Sequence, residues 1–153
     1  MIYAIGDLHL ALSTAKPMDI FSGWDGYMEK LERSWRENIT DRDTVVIAGD
    51  VSWAMKLEDT EADFRFLENL PGRKLLMKGN HDYWWSSRNK AETYFNTLGL
   101  NTLEILHNSA VEADGYSLCG SRGWMFENGE PHDRKIVARE AGRIAMSLAA
   151  AQG

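Results

Sequence analysis

An α/β fold built on parallel strands is what this 153-residue sequence predicts, and three observations predict it. Three apolar runs, in "MIYAIGDLH", "DTVVIAGDVSW" and "RKLLMKGNHD", each end in a glycine followed by Asp or Asn. The runs are continuous rather than alternating, which marks strands buried on both faces. Amphipathic stretches at helical spacing lie between them, and strand, helix, strand, helix, strand is the signature of a parallel sheet.

The first strand occupies Met1 to Ile5 and runs straight into Gly6-Asp7. No basic segment precedes an apolar one, so it reads as part of the fold and not as a leader. Tyr27, Met28, Leu31 and Trp35 then recur at helical spacing behind a cap expected at Asp25. Val45, Val46 and Ile47 make the second strand. Ala62, Phe64, Phe66, Leu67 and Leu70 form a second helical pattern, which Pro71-Gly72 stops. Leu75, Leu76 and Met77 make the third strand. Ser86 or Ser87 caps a third helix that carries Ala91, Tyr94, Phe95 and Leu98 and ends at Gly99. Short strands follow in "TLEIL", "SAVEA" and "YSLCG", the last two joined by the hairpin pair Asp114-Gly115. After the polar loop "SRGWMFENGEPHD", a terminal helix is expected to bury a stripe of Ile136, Ala141, Ile144, Ala145 and Leu148. Arg134, Lys135, Arg139 and Arg143 fall on its wet face.

With 44% hydrophobic and 26% charged residues, the chain has the make-up of an ordered globular protein, expected as one domain over residues 1–153. A net charge of −6 gives no general attraction for a polyanion, which disfavours long nucleic acid as a partner. The single cysteine, Cys119, excludes an internal disulfide and a cysteine-based zinc site. It reads as a small buried residue and fits a reducing cytoplasm. No apolar run approaches the roughly 18 residues of a membrane span.

Parallel α/β sheets bind ligands beyond the carboxyl ends of their strands. Asp7, Asp50 and Asn80 fall there, each one residue past a glycine that lets the backbone turn and leaves room for whatever the next side chain holds. His9, two residues past Asp7, points the same way in a locally extended segment, and His81-Asp82 extends the third loop. Taken singly, each residue is ordinary chemistry of a solvated turn. Taken together, two carboxylates, an amide oxygen and an imidazole without thiolate suit Mn²⁺, Fe²⁺ or Zn²⁺. A carboxylate with two oxygens can also bridge two such ions.

Asp7-x-His9, then Gly49-Asp50, then Gly79-Asn80-His81-Asp82 resembles the first three motifs of the calcineurin-like metallophosphoesterase superfamily. Chance alone gives GNHD on the order of once in a few thousand chains of this length. The longer pattern "GDLHL…KPMDIFSGWD…GDVSWAMKLEDT…LPGRK…GNHDYWW…CGSRGW" resembles a bacterial branch of that superfamily with no settled substrate, over nearly the whole chain. The resemblance implies a two-sheet sandwich flanked by helices. It implies hydrolysis of phosphoric esters, as phosphatase or phosphodiesterase, by a hydroxide held between two divalent cations, Mn²⁺ foremost. Asp7 and His9 are then expected to bind the first metal, Asp50 to bridge both, and Asn80 to bind the second. His81 is expected to act on the substrate phosphate as general acid or transition-state stabiliser, oriented by Asp82. Asp82 alternatively caps the helix that follows.

Members of this family continue with a further histidine and a Gly-His-x-His motif, which this sequence lacks. The sandwich is therefore expected to be incomplete on its carboxyl-terminal side, and the chain to be the amino-terminal part of an enzyme. A non-catalytic metal-binding module is the alternative. Uncovered surface then invites self-association. His107 and His132 match no family motif and read as surface residues. Trp53, Trp84, Trp85 and Trp124 either wall a substrate cleft or cover core edges. Lys56 and Arg122 are candidates to touch phosphate oxygens, though exposed basic side chains are usually only solvated.

Overall fold

Four short strands, β1 (Ile2–Ile5), β2 (Thr44–Ile47), β3 (Arg73–Leu76) and β4 (Leu103–Ile105), form one parallel sheet in the order β1-β2-β3-β4. The computed structural model describes residues 1–16, 18–124 and 133–152. They divide into two units, Met1–Ile105 and Leu106–Gly153. In the first unit the register aligns Ile5, Ile47, Leu76 and Ile105 in one row across the sheet. The segments that follow these four residues therefore leave the sheet side by side. That alignment is what gathers the candidate residues.

Each crossover carries a helix: α1 (Tyr27–Asn38), α2 (Glu61–Glu68) and α3 (Arg88–Leu98). Trp35, Phe64, Leu67, Ala91 and Phe95 from these helices join Val45, Ile47, Leu76, Leu103 and Ile105 in one buried cluster. The helices thus cover one face of the sheet. On the other face Ala4 is exposed, Val46 and Glu104 are half-buried, and Leu75 alone among these four is buried. The expectation of strands buried on both faces holds for the helix-covered side and, on the other, for Leu75 alone among these four.

Local signals fared unevenly. Ser87 caps α3, its side chain accepting from Lys90 N–H at 3.4 Å, and Gly99 ends the helix with φ 69°. The cap of α1 is not Asp25 but Gly26, whose left-handed backbone makes the turn without a side-chain bond. In α2 the buried positions are Asp63, Phe64 and Leu67, whereas Ala62 is exposed. "TLEIL" contributes β4 to the parallel sheet.

In the second unit β5 (Ser109–Ala113) and β6 (Tyr116–Gly120) form the antiparallel hairpin, with Asp114 and Gly115 both at positive φ. The helix α4 (Asp133–Ala150) packs on it. The predicted apolar stripe of α4 is not its buried face. Glu140 and Ser147 are buried, while Ile144 and Leu148 are 46% and 53% exposed. Hydrogen bonds decide the orientation: the Ser147 hydroxyl donates to Ser109 O and accepts from Gly120 N–H at 2.9 Å. Cys119 is half-buried beside Ser147 rather than in a core. Among the described residues no helix is long and apolar enough to cross a membrane.

Candidate metal centre

Past the row Ile5, Ile47 and Leu76, the first two loops continue to pair. Asp7 N–H donates to Gly49 O at 3.1 Å, His9 N–H to Asp50 O at 2.9 Å and Leu10 N–H to Val51 O at 2.9 Å. Asp7, His9 and Asp50 all hold positive φ, at 55°, 46° and 52°. Such a conformation costs a non-glycine residue on the order of 1–2 kcal/mol, so three of them in facing loops mark a backbone held against its own preference. Close approach explains the glycines. A Cβ on Gly79 would stand 2.0 Å from Asp50 Oδ1, and one on Gly49 2.6 Å from Gly79 Cα.

Asp7, His9 and Asp50 each bring one donor atom to within 4.8 Å of the others. His9 Nε2 lies 3.7 Å from Asp7 Oδ1 and 3.9 Å from Asp50 Oδ2. The Asp7 side chain is 74% exposed and that of Asp50 7%, so the cluster opens to solvent on one side and is anchored on the other. His81 completes the Asp50 environment: its backbone N–H donates to Oδ1 at 2.9 Å and its Nδ1 lies 2.9 Å from Oδ2. Asn80 Nδ2 is 3.1 Å from the same Nδ1. Burial alone would raise the Asp50 pKa. The His81 backbone N–H, the His81 ring and nearby His9 outweigh burial and hold it below the ordinary carboxylate value.

Asp82 does something other than orient the His81 ring. It is 2% exposed, and Oδ2 accepts from Asp50 N–H at 2.9 Å and Gly79 N–H at 2.7 Å. Oδ1 accepts from Val51 N–H at 2.8 Å and the Trp84 indole at 2.9 Å. Asp82 therefore ties the second loop to the third, and Asp50 is the carboxylate that holds His81. Burial pushes the Asp82 pKa up, against those donors.

Asp63 plays the same part between the first two loops. It is fully buried on α2, with Oδ1 accepting from Leu12 N–H at 2.8 Å and Oδ2 from the Ser52 hydroxyl at 2.5 Å. Burial raises its pKa as well. Hydrophobic spacing does not single out Asp63. Its signal was a carboxylate four residues before Leu67, on the buried side of an apolar helix.

Aromatic rings surround the two histidines. His9 stacks on Trp53 with centroids 4.7 Å apart and planes 19° from parallel. Trp24 meets His9 edge-on at 6.3 Å, and Tyr83 meets His81 edge-on at 6.1 Å. The Tyr27 hydroxyl donates to His9 O at 3.1 Å, and Lys16 stands 5.5 Å over the Trp53 ring. Of the four tryptophans singled out, Trp53 borders the centre. Trp84 and Trp85 are buried in the core, and exposed Trp124 lies under Arg122 in the second unit. His107 is half-buried in that unit, and His132 lies outside the described residues. A cavity of about 750 Å³ lies elsewhere, where Glu68, Arg73, Thr102 and Glu104 line the amino ends of β3 and β4. It contains none of the predicted residues.

The sequence profile described as calcineurin-like phosphoesterase matches residues 1–143. Among solved structures, the chain is similar to the crystal structure of AQ665 from Aquifex aeolicus, a protein of unknown function. The two are 22% identical with a TM-score of 0.54, over 91% of this chain and 70% of that one. At that identity the likeness is one of fold. No curated protein matches.

Proposed function

The chain belongs to the calcineurin-like phosphoesterase family, and from that premise we propose that it hydrolyses phosphoric esters at the centre formed by Asp7, His9, Asp50, Asn80 and His81. The observation that carries the reading is the convergence of donor atoms from Asp7, His9 and Asp50 within 4.8 Å. Carboxylate and imidazole donors without thiolate suit Mn²⁺, with Fe²⁺ or Zn²⁺ as alternatives. Asp7 and His9 would hold one cation, Asn80 a second, and Asp50 would contribute to both. When bound, such cations supply Lewis acidity that offsets charge on phosphoryl oxygens and acidifies water at the site.

The chain's own groups do the rest. The buried carboxylates of Asp82 and Asp63 hold the three loops in place, so little rearrangement accompanies binding. His81 is fixed through Nδ1 by Asp50 Oδ2. Its Nε2 is then the nitrogen that donates a proton to the departing ester oxygen as the oxygen of water bonds to phosphorus and the ester P–O bond breaks. The proton that water loses passes to solvent, from which His81 regains its own.

A panel of phosphomonoesters and phosphodiesters assayed with added Mn²⁺ tests the proposal. Metal-dependent hydrolysis that disappears in Asp50→Ala is expected, and the ester preferred separates phosphatase from phosphodiesterase. Metal uptake without turnover of any ester would instead make this a non-catalytic metal-binding module. Neither uptake nor turnover overturns the proposal.

A further inference from the structure

We propose, resting on the phosphoesterase reading above, that this centre selects esters whose organic group is bulky, apolar and ring-bearing. Trp24 and Tyr83 are its specificity-determining residues. The distribution of exposed apolar side chains is the first observation. Among the described residues of Met1–Ile105, the large hydrophobics left exposed are Met1, Leu12, Ile20, Phe21, Met55 and Tyr83. All but Met1 stand in segments that leave the carboxyl ends of the strands. Leu12, Ile20 and Phe21 lie between β1 and α1, Met55 between β2 and α2, and Tyr83 between β3 and α3. The amino ends of β3 and β4 are lined differently, with charged groups paired as in Arg73 with Glu104 at 2.5 Å. Scattered exposed hydrophobics need no explanation, but five of these six lie in the same three segments that carry the candidate residues.

The ring contacts are the second observation. Trp53 is committed to His9 by stacking. Trp24 and Tyr83 meet the imidazoles only edge-on; Trp24 also packs edge-on against Tyr27 at 5.3 Å, and Tyr83 remains 53% exposed. Trp24 stands 6.3 Å from the His9 ring and Tyr83 6.1 Å from the His81 ring, so the substituent of an ester held by these histidines would meet both. An aromatic substituent there gains buried area and ring–ring contact, whereas a small polar one leaves the rim wet.

Equilibrium binding of phosphonates, whose P–C bond resists hydrolysis, tests this in the presence of Mn²⁺. Inorganic phosphate serves as the reference, compared with methylphosphonate and 1-naphthylphosphonate. Naphthylphosphonate is expected to bind on the order of 10- to 100-fold more tightly than methylphosphonate. Tyr83→Ala and Trp24→Ala should each shrink that ratio by about 3- to 10-fold. Manganese-dependent phosphate binding verifies that each variant is folded, and Tyr83→Leu, which keeps apolar bulk without the ring, replaces a variant that fails. Equal binding of the two phosphonates alongside firm phosphate binding overturns the specificity and leaves the phosphoesterase reading standing. A naphthyl preference untouched by these substitutions overturns the assignment to Trp24 and Tyr83. Absence of manganese-dependent anion binding overturns both readings.

Discussion

Asp82 Oδ2 accepts from the backbone N–H of Asp50 at 2.9 Å, so a residue of the third loop fixes the conformation of the second. The same oxygen accepts from Gly79 N–H, and the other oxygen from Val51 N–H. Truncation to Asp82→Ala strands these buried donors and is expected to cost about 3 kcal/mol or more. Manganese affinity should fall too, although Asp82 is not among the proposed donors. Chemical denaturation and metal titration on one preparation check both. Full affinity in a folded Asp82→Ala protein contradicts the tie.

Asp63 makes a parallel case. It joins the first loop to the second through Leu12 and Ser52. Groups that support metal ligands without touching the metal typically change affinity by about 10- to 100-fold when removed. Asp63→Ala is expected to weaken manganese binding within that range, measured well below the unfolding midpoint. Asp63→Asn, which keeps one acceptor oxygen, should recover part of the loss. Two variants with wild-type affinity would confine Asp63 to the core.

Lys74 gives a pH signature. Its side chain is fully buried at β3, donating to Leu70 O and to Thr102 Oγ1 at 2.9 Å. Burial lowers its pKa from 10.5 to about 8, against the opposing pull of Glu68 and Asp41. The folded state binds this proton less tightly than the unfolded chain, so Lys74 costs stability below pH 8. The cost fades as pH rises from about 8 towards 10.5. The unfolding free energy of wild type minus that of Lys74→Met should therefore increase across that window, by up to about 3 kcal/mol. A flat difference contradicts it.

On α4, Ile144 and Leu148 sit one turn apart and exposed. Were a second copy of the chain to cover them, that apolar area would leave water. Sedimentation velocity is expected to show concentration-dependent association that Ile144→Glu and Leu148→Glu both weaken. A monomer at every concentration rules this surface out as a self-association site.

The sheet and the site were legible in the sequence to different depths. Apolar runs ending in Gly-Asp or Gly-Asn identified three strands of the parallel sheet and the residues gathered beyond them, because strand ends and tight turns are specified locally. Hairpin chemistry at Asp114-Gly115 was legible for the same reason. The α1 cap was missed because Gly26 uses backbone conformation, where Asp25 offered the usual side-chain signal. The buried face of α4 was misjudged because Ser147 and Glu140 dock through hydrogen bonds, which hydrophobic spacing does not register. Asp63 binds residues 11 and 51 positions away, and Asp82 reaches Asp50 and Val51, 32 and 31 positions away, pairings that no local pattern encodes. The site residues were readable one by one; the carboxylates that hold their loops were not.

Manganese stoichiometry tests the proposed role of Asp50 as a ligand to two cations. Purified wild type, Asp50→Ala and Asn80→Ala are each titrated with Mn²⁺, with free metal followed by electron paramagnetic resonance. Asp50→Ala is expected to lose more bound metal than Asn80→Ala, because both ions would lose a ligand and their mutual repulsion would no longer be offset. Asp50→Ala binding as much manganese as wild type, at similar affinity, would contradict it.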